Sequence, residues 1–204
     1  MWSTKFRKLF GSFQVKSLGR DFNFNRNYFW IMKVGLLGGS FNPPHQGHLH
    51  ISQLAIKKLG LNQVWWIPTS QNPFKEASIY EAYVGRVQKC EKLIGNNSKL
   101  RIKQFDEIQT EKLICLLRAK YKNVKFFWIM GADNLERFHE WGNFKKLIRM
   151  IPIAIFSRET FLQKIHKTKV FNFKAQAKFL IFRTKNFNIS STQIRNNNVW
   201  LYCG

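Results

Sequence analysis

The chain has 204 residues, of which 45% are hydrophobic and 16% aromatic, enough to bury a substantial core in one globular domain and incompatible with a disordered or collagen-like chain. With 34 Lys and Arg against 11 Asp and Glu, the formal net charge is +23, which points to polyanionic ligands such as nucleotides, nucleic acid or acidic lipid without choosing among them. Cys90, Cys115 and Cys203 are too widely spaced for a CxxC pair or a disulfide framework, which fits a reducing, cytoplasmic setting. No run of about 18 apolar residues occurs, so a transmembrane helix and a membrane partner are not expected.

Residues 1–31 form a basic extension with six Lys or Arg and a single acid, Asp21, and no continuous apolar stretch of the kind a signal peptide requires. The favoured expectation is that the folded domain, residues 32–204, begins at Met32, where Lys33-Val34-Gly35-Leu36-Leu37 reads as an opening strand; a transit peptide or membrane-surface arm is the alternative.

From Met32 onward, short apolar runs alternate with longer amphipathic stretches, the pattern of βα units around a mostly parallel, doubly wound sheet. The strand runs are Val34–Leu37, Val64–Ile67, Leu100–Ile102, Phe126–Met130, Ile151–Phe156 and Phe179–Phe182. Leu49–Leu59 reads as a helix. Ile79, Tyr83, Val87, Cys90 and Ile94 recur at spacings of 4, 4, 3 and 4, the signature of a helix with one buried face. Leu113, Ile114, Leu116 and Leu117 suggest a third helix before Tyr121. In such folds ligands gather at the carboxyl ends of the strands.

The first strand runs into Gly38-Gly39-Ser40-Phe41-Asn42-Pro43-Pro44-His45-Gln46-Gly47-His48. Two glycines allow a tight turn with no Cβ to block a phosphate, and the prolines set the path into a helix whose free N–H groups and positive dipole end attract anions. His45 and His48, three apart, can both face that site, with Gly47 leaving room between them. A neighbouring triphosphate is expected to favour the protonated imidazole, each ring then donating a charge-assisted hydrogen bond. Neither GxGxxG nor GxxxxGK[ST] is present, which argues against dinucleotide-dependent hydride transfer and P-loop chemistry. No carboxylate or cysteine follows His45, His48 and His50 at ligand spacing, so a metal site is not expected there.

These residues resemble the HxGH nucleotidyltransferase superfamily, whose GxFxPxHxGH signature is matched by Gly39, Phe41, Pro43, His45, Gly47 and His48. A second signature, SxTxxR, is matched by Ser190-Ser191-Thr192-Gln193-Ile194-Arg195. Read physically, Ser190 or Thr192 caps a helix that holds phosphate oxygens, and Arg195, one turn inside, supplies a forked cation. Within the superfamily the chain is most similar to the nicotinate-nucleotide adenylyltransferase family from about Met32 to Asn197. The likeness is carried by Trp65-Trp66-Ile67-Pro68, by Asn72-Pro73-Phe74-Lys75, by Arg86, and by Trp128-Ile129-Met130-Gly131-Ala132-Asp133-Asn134-Leu135 followed by Trp141.

The resemblance implies a Rossmann-like nucleotidyltransferase fold. It also implies that nicotinate mononucleotide attacks the α-phosphorus of ATP, giving nicotinate adenine dinucleotide and pyrophosphate, with Mg²⁺ carried mainly by the ATP phosphates. On this basis His45, His48 and Arg195 are the expected catalytic residues. Gly38, Gly39, Ser40, Phe41, Gly47, Gly131, Asp133, Ser190 and Thr192 are expected on ATP, and Lys75, Thr110 and Trp141 on nicotinate mononucleotide. No specific nucleic-acid partner is expected, and the oligomeric state is left open.

The sequence departs from the family in two places. Gln109-Thr110-Glu111-Lys112-Leu113 stands where a Tyr-Thr-x-x-Thr-like stretch is usual, and a further helical segment expected beyond Arg195 has no counterpart before Gly204. Residues 160–204 contain eight Lys or Arg and no acid, a cationic end that either helps hold pyrophosphate or reflects composition drift. Three alternatives remain at this level: another HxGH adenylyl- or cytidylyltransferase, such as one acting on pantetheine phosphate; a basic nucleic-acid-binding module without turnover; and a product that keeps the fold but has lost activity.

Overall fold

Strands that are buried on both faces need apolar side chains at every position rather than at alternate ones. The apolar runs meet that need in the computed structural model, which describes residues 31–69, 81–106, 109–157, 165, 168–184 and 191–196. Strands β1 (Met32–Gly39), β2 (Gln63–Pro68), β3 (Leu100–Ile102), β4 (Val124–Gly131), β5 (Ile153–Ser157) and β6 (Phe179–Arg183) form one sheet in the order β3-β2-β1-β4-β5-β6. Every neighbouring pair is parallel. After β3 the chain crosses back to lay β4 beside β1, so the crevice at the carboxyl ends of β1 and β4 is the topological switch point where ligands bind in doubly wound sheets.

Two cores sandwich the sheet. Helices α1 (Gln46–Leu59) and α2 (Tyr83–Ile94) cover one face, where Ala55 and Cys90 pack with Val64, Trp66, Phe127 and Ile129. Helices α3 (Thr110–Lys120) and α4 (Phe144–Met150) cover the other, where Leu113, Ile114, Leu117, Leu147 and Ile148 meet Leu36, Trp65, Trp128 and Ile153. A last short helix, α5 (Ser191–Asn196), follows β6. Burial pushes the Cys90 thiol up to about 12, which makes it an inert part of the core; Cys90 and Cys115 are both free thiols.

The expected α/β class and all six strand runs hold. The run at Ile151–Phe156 shifts to Ile153–Ser157 because Ile151 closes α4 by donating to Leu147 O and Pro152 has no N–H for a ladder. Helix α1 begins at Gln46, three residues before the apolar pattern starts, because His45 caps it. Residues 1–30, Lys75, Ser190, Ile79 and the final residues 197–204 lie outside the described residues.

Candidate active site

Gly38 and Gly39 end β1 and lie in register with Ile67 and Pro68 of β2. A Cβ on Gly38 would collide with the six-membered ring of Trp128, so only glycine lets β1 and β4 close up here. The chain then turns through Phe41, whose φ of 46° lies in the left-handed region that a bulky residue enters only when its surroundings hold it. Those surroundings are visible. The buried Phe41 ring stacks on Trp66 at 5.0 Å and an interplanar angle of 14°. Aromatic burial of this size outweighs the roughly 1–3 kcal/mol that such a backbone conformation costs.

His45 and His48 cap α1 reciprocally. His45 Nδ1 accepts the Gly47 N–H at 3.1 Å, and His48 Nδ1 accepts the His45 N–H at 3.1 Å. The rings lie 3.9 Å apart, and His48 also contacts Phe41 at 4.8 Å and Trp66 at 5.9 Å. An Nδ1 that accepts a backbone N–H must carry its lone pair, so in each neutral ring the proton sits on Nε2. Burial, and after it the charge of His45, holds His48 well below the usual histidine range. A proton added to either Nδ1 would face an N–H and break the cap, so Nε2 is the ring nitrogen left to donate.

A polar thread fixes this pair to the sheet. Trp66 Nε1 donates to Ser52 Oγ at 2.8 Å, and Ser52 Oγ donates to His48 O at 2.8 Å. Sequence reading passed over Ser52; its position four residues after His48 on the same helix face is the signal that could have found it.

The far end of the chain comes to the same loop. Arg195 Nη1 donates to Asn42 O, Arg195 Nη2 donates to Thr192 Oγ1 at 3.2 Å, and Ser191 Oγ donates to Pro43 O at 2.9 Å. Residues some 150 positions apart in sequence thus share one turn at the carboxyl edge of β1 (|i−j| of 148 and 153).

The other expected residues lie along the same edge. Gly131 ends β4, and Asp133 follows in the 3-10 turn Ala132–Leu135, its carboxylate folded over the Gly131 Cα where a Cβ would stand. Trp141 follows a second 3-10 turn, Phe138–Glu140, and packs edge-on against Trp128 at 5.9 Å and Phe138 at 5.0 Å. Its link to the histidine loop therefore runs through Trp128, the residue beneath Gly38. Trp141 also lines an open cavity of about 630 Å³ with His139, Asn143, Arg118 and Arg149, which His45 and His48 do not line. Thr110 opens α3. Its neighbour Glu111, buried and not anticipated from sequence, accepts from Asn143 Nδ2 at 2.7 Å and so ties α3 to the loop that carries Trp141.

A parallel sheet with its ligand edge built from a glycine turn, a histidine-capped helix and a returning arginine is the arrangement of a nucleotidyltransferase. The chain belongs to the cytidylyltransferase-like family, whose model matches residues 36–197. It is 39% identical over 131 residues to a probable nicotinate-nucleotide adenylyltransferase of Rhizobium meliloti (strain 1021), covering 62% of this chain and 69% of that one. A probable nicotinate-nucleotide adenylyltransferase of Pelagibacter ubique (strain HTCC1062) is 37% identical over 166 residues, covering 80% of this chain and 92% of the relative. Among solved structures, Plasmodium falciparum nicotinic acid mononucleotide adenylyltransferase complexed with NaAD has the same fold, with a TM-score of 0.66 at 18% identity over 81% of this chain and 83% of that one.

Proposed function

We propose that this chain transfers the adenylyl group of ATP to nicotinate mononucleotide, forming nicotinate adenine dinucleotide and pyrophosphate, a step of NAD biosynthesis. A phosphate oxygen of the mononucleotide forms the new bond to the α-phosphorus of ATP, and the bond from that phosphorus to the β-phosphate oxygen breaks, its electron pair leaving with pyrophosphate. The nucleophile is already anionic near neutral pH, so the protein has no nucleophile to supply and little proton transfer to perform. Its task is in-line positioning and the neutralisation of charge on the leaving group.

The single observation that carries this reading is the meeting of the Nδ1-anchored histidine pair and Arg195 on the Asn42–Pro43 loop. With both Nδ1 atoms engaged by backbone, the two Nε2–H groups are preorganised donors for phosphate oxygens, and Arg195 brings a fixed positive charge to the same turn. The roles of Gly38, Gly39, Ser40, Phe41, Gly47 and Thr192 around ATP are supported by their place in this loop or on α5, and those of Gly131 and Asp133 by the adjoining end of β4. Trp141 and Thr110 are assigned to the mononucleotide side, where the Glu111–Asn143 bond joins their two segments.

Among the described residues no three His, Cys, Asp or Glu side chains cluster to hold a metal ion. In this reading the divalent cation, Mg²⁺, enters as part of the nucleotide substrate, where it offsets phosphate charge. Free Cys90 and Cys115 support a cytoplasmic setting, and among the described residues no helix is long and apolar enough to cross a membrane.

The test is a coupled pyrophosphate-release assay. Release that requires both ATP and nicotinate mononucleotide is expected. Release with phosphopantetheine instead would move the chain to another member of the superfamily. Salt-dependent retention on DNA with no turnover of either substrate would refute an enzymatic role.

A further inference from the structure

A fully buried arginine is rare unless its donors are used, because desolvating a cation is costly. Arg86, on α2, is only 1% exposed, and its guanidinium clasps three separate segments. Its Nη1 donates to Ser40 O in the loop after β1 and to Thr69 O, 2.9 Å away, at the end of β2. Its Nε donates to Glu81 O at the entry to α2, at 3.0 Å. Neighbouring bonds extend the clasp. Thr69 N–H donates to Gly39 O at 2.9 Å, and Glu81 N–H donates to Asn42 Oδ1 at 3.2 Å, the same Asn42 whose carbonyl receives Arg195.

We propose that Arg86 is a positioning residue for the triphosphate subsite, acting through the Ser40–Phe41 peptide. A trans peptide is planar, with its C=O and N–H pointing in opposite directions. Fixing the Ser40 carbonyl on the buried guanidinium therefore fixes the Phe41 N–H to point away from the guanidinium. Arg86 thus sets the direction of a backbone donor at the phosphate turn, stabilises the left-handed Phe41 that follows, and places a positive charge beneath the loop without touching substrate. Lysine cannot reproduce the fork that spans Ser40, Thr69 and Glu81. This inference rests on the reading that the Gly38–His48 loop holds the phosphates of ATP.

The test measures ATP and mononucleotide binding separately by calorimetry on the full chain, with steady-state kinetics alongside. Arg86→Lys is expected to weaken ATP binding and raise the KM for ATP by about tenfold or more, as loss of a charge-assisted hydrogen bond does. The KM for nicotinate mononucleotide should stay within about twofold, since a subsite that keeps its contacts keeps its affinity. Equal losses for both substrates, or unchanged ATP affinity in the folded variant, would overturn the proposal. Hydrogen exchange at the Phe41 amide of the wild-type chain keeps the proposal open to refutation even if the variant does not fold: ATP should slow it, and exchange unaffected by saturating ATP would overturn the proposal. Wild-type protein that binds ATP but releases no pyrophosphate with nicotinate mononucleotide would defeat the functional reading alone. Protection at Phe41 together with wild-type affinity in Arg86→Lys would defeat the role of Arg86 alone.

Discussion

Replacing His48 by alanine removes a chemical contribution and a structural one, and the geometry allows each to be sized. The chemical part is the Nε2–H. Loss of one preorganised donor to charge that builds in the transition state lowers kcat by about 10²–10³. The structural part begins with the capping box, since His48 Nδ1 no longer accepts the His45 N–H; a lost cap costs about 1 kcal/mol. The ring contacts with Phe41 at 4.8 Å and Trp66 at 5.9 Å go as well, at about 0.5–1.5 kcal/mol. Together these come to about 2 kcal/mol, which lowers Tm by about 4–8 °C in a chain of this size. Pyrophosphate release measured well below the variant's Tm isolates the chemical part. A kcat within threefold of wild type in the folded variant would refute the donor role of His48.

Lowering the pH provides a second test. The folded pKa of His48 lies well below the ordinary 6.5 to which it returns on unfolding, so its contribution to stability is complete above pH 6.5 and is lost as pH falls from there through the folded value. Tm should drop between pH 7 and 5.5 by more in wild type than in His48→Ala, and equal slopes would contradict the assignment. Ser52→Ala leaves buried Trp66 Nε1 without its acceptor and should cost about 1–3 kcal/mol by urea denaturation; a change below about 0.5 kcal/mol, the level of a neutral surface substitution, would discount the thread from β2 to His48. Gly38→Ala drives a methyl group into Trp128 and should destabilise by about 1–3 kcal/mol while lowering turnover, and wild-type stability would show that the β1–β4 contact is looser than described.

Much of the fold is legible in the sequence because the inner strands, covered on both faces, are written as apolar runs such as Val64-Trp65-Trp66-Ile67, while the edge strands β3 and β6 are only partly buried. The short helix α4 left no comparable trace: its seven residues span two turns, and only Leu147 and Ile148 are buried in it. The turn from Gly39 to His48 is readable because so many of its residue types are constrained at once. The tautomer of the histidines is not, since histidine is an unusual N-cap and its Nδ1 bonds exist only once Gly47 and His48 have entered the helix. Burial of Arg86 and Glu111 is equally hidden, because a charged residue in a sequence ordinarily signals solvent. Both are buried by backbone or amide partners, Ser40, Thr69 and Glu81 for the one and Asn143 for the other, that no local pattern predicts.

Whether the early histidines and the late arginine surround one set of phosphates can be seen in a crystal structure with a non-hydrolysable ATP analogue. Phosphate oxygens are expected within hydrogen-bonding distance of Nε2 of His45, Nε2 of His48 and the Arg195 guanidinium, above the Gly38–Phe41 turn. A triphosphate seated elsewhere, for example in the basic groove by Arg118 and Arg149, with the histidines untouched, would contradict that arrangement.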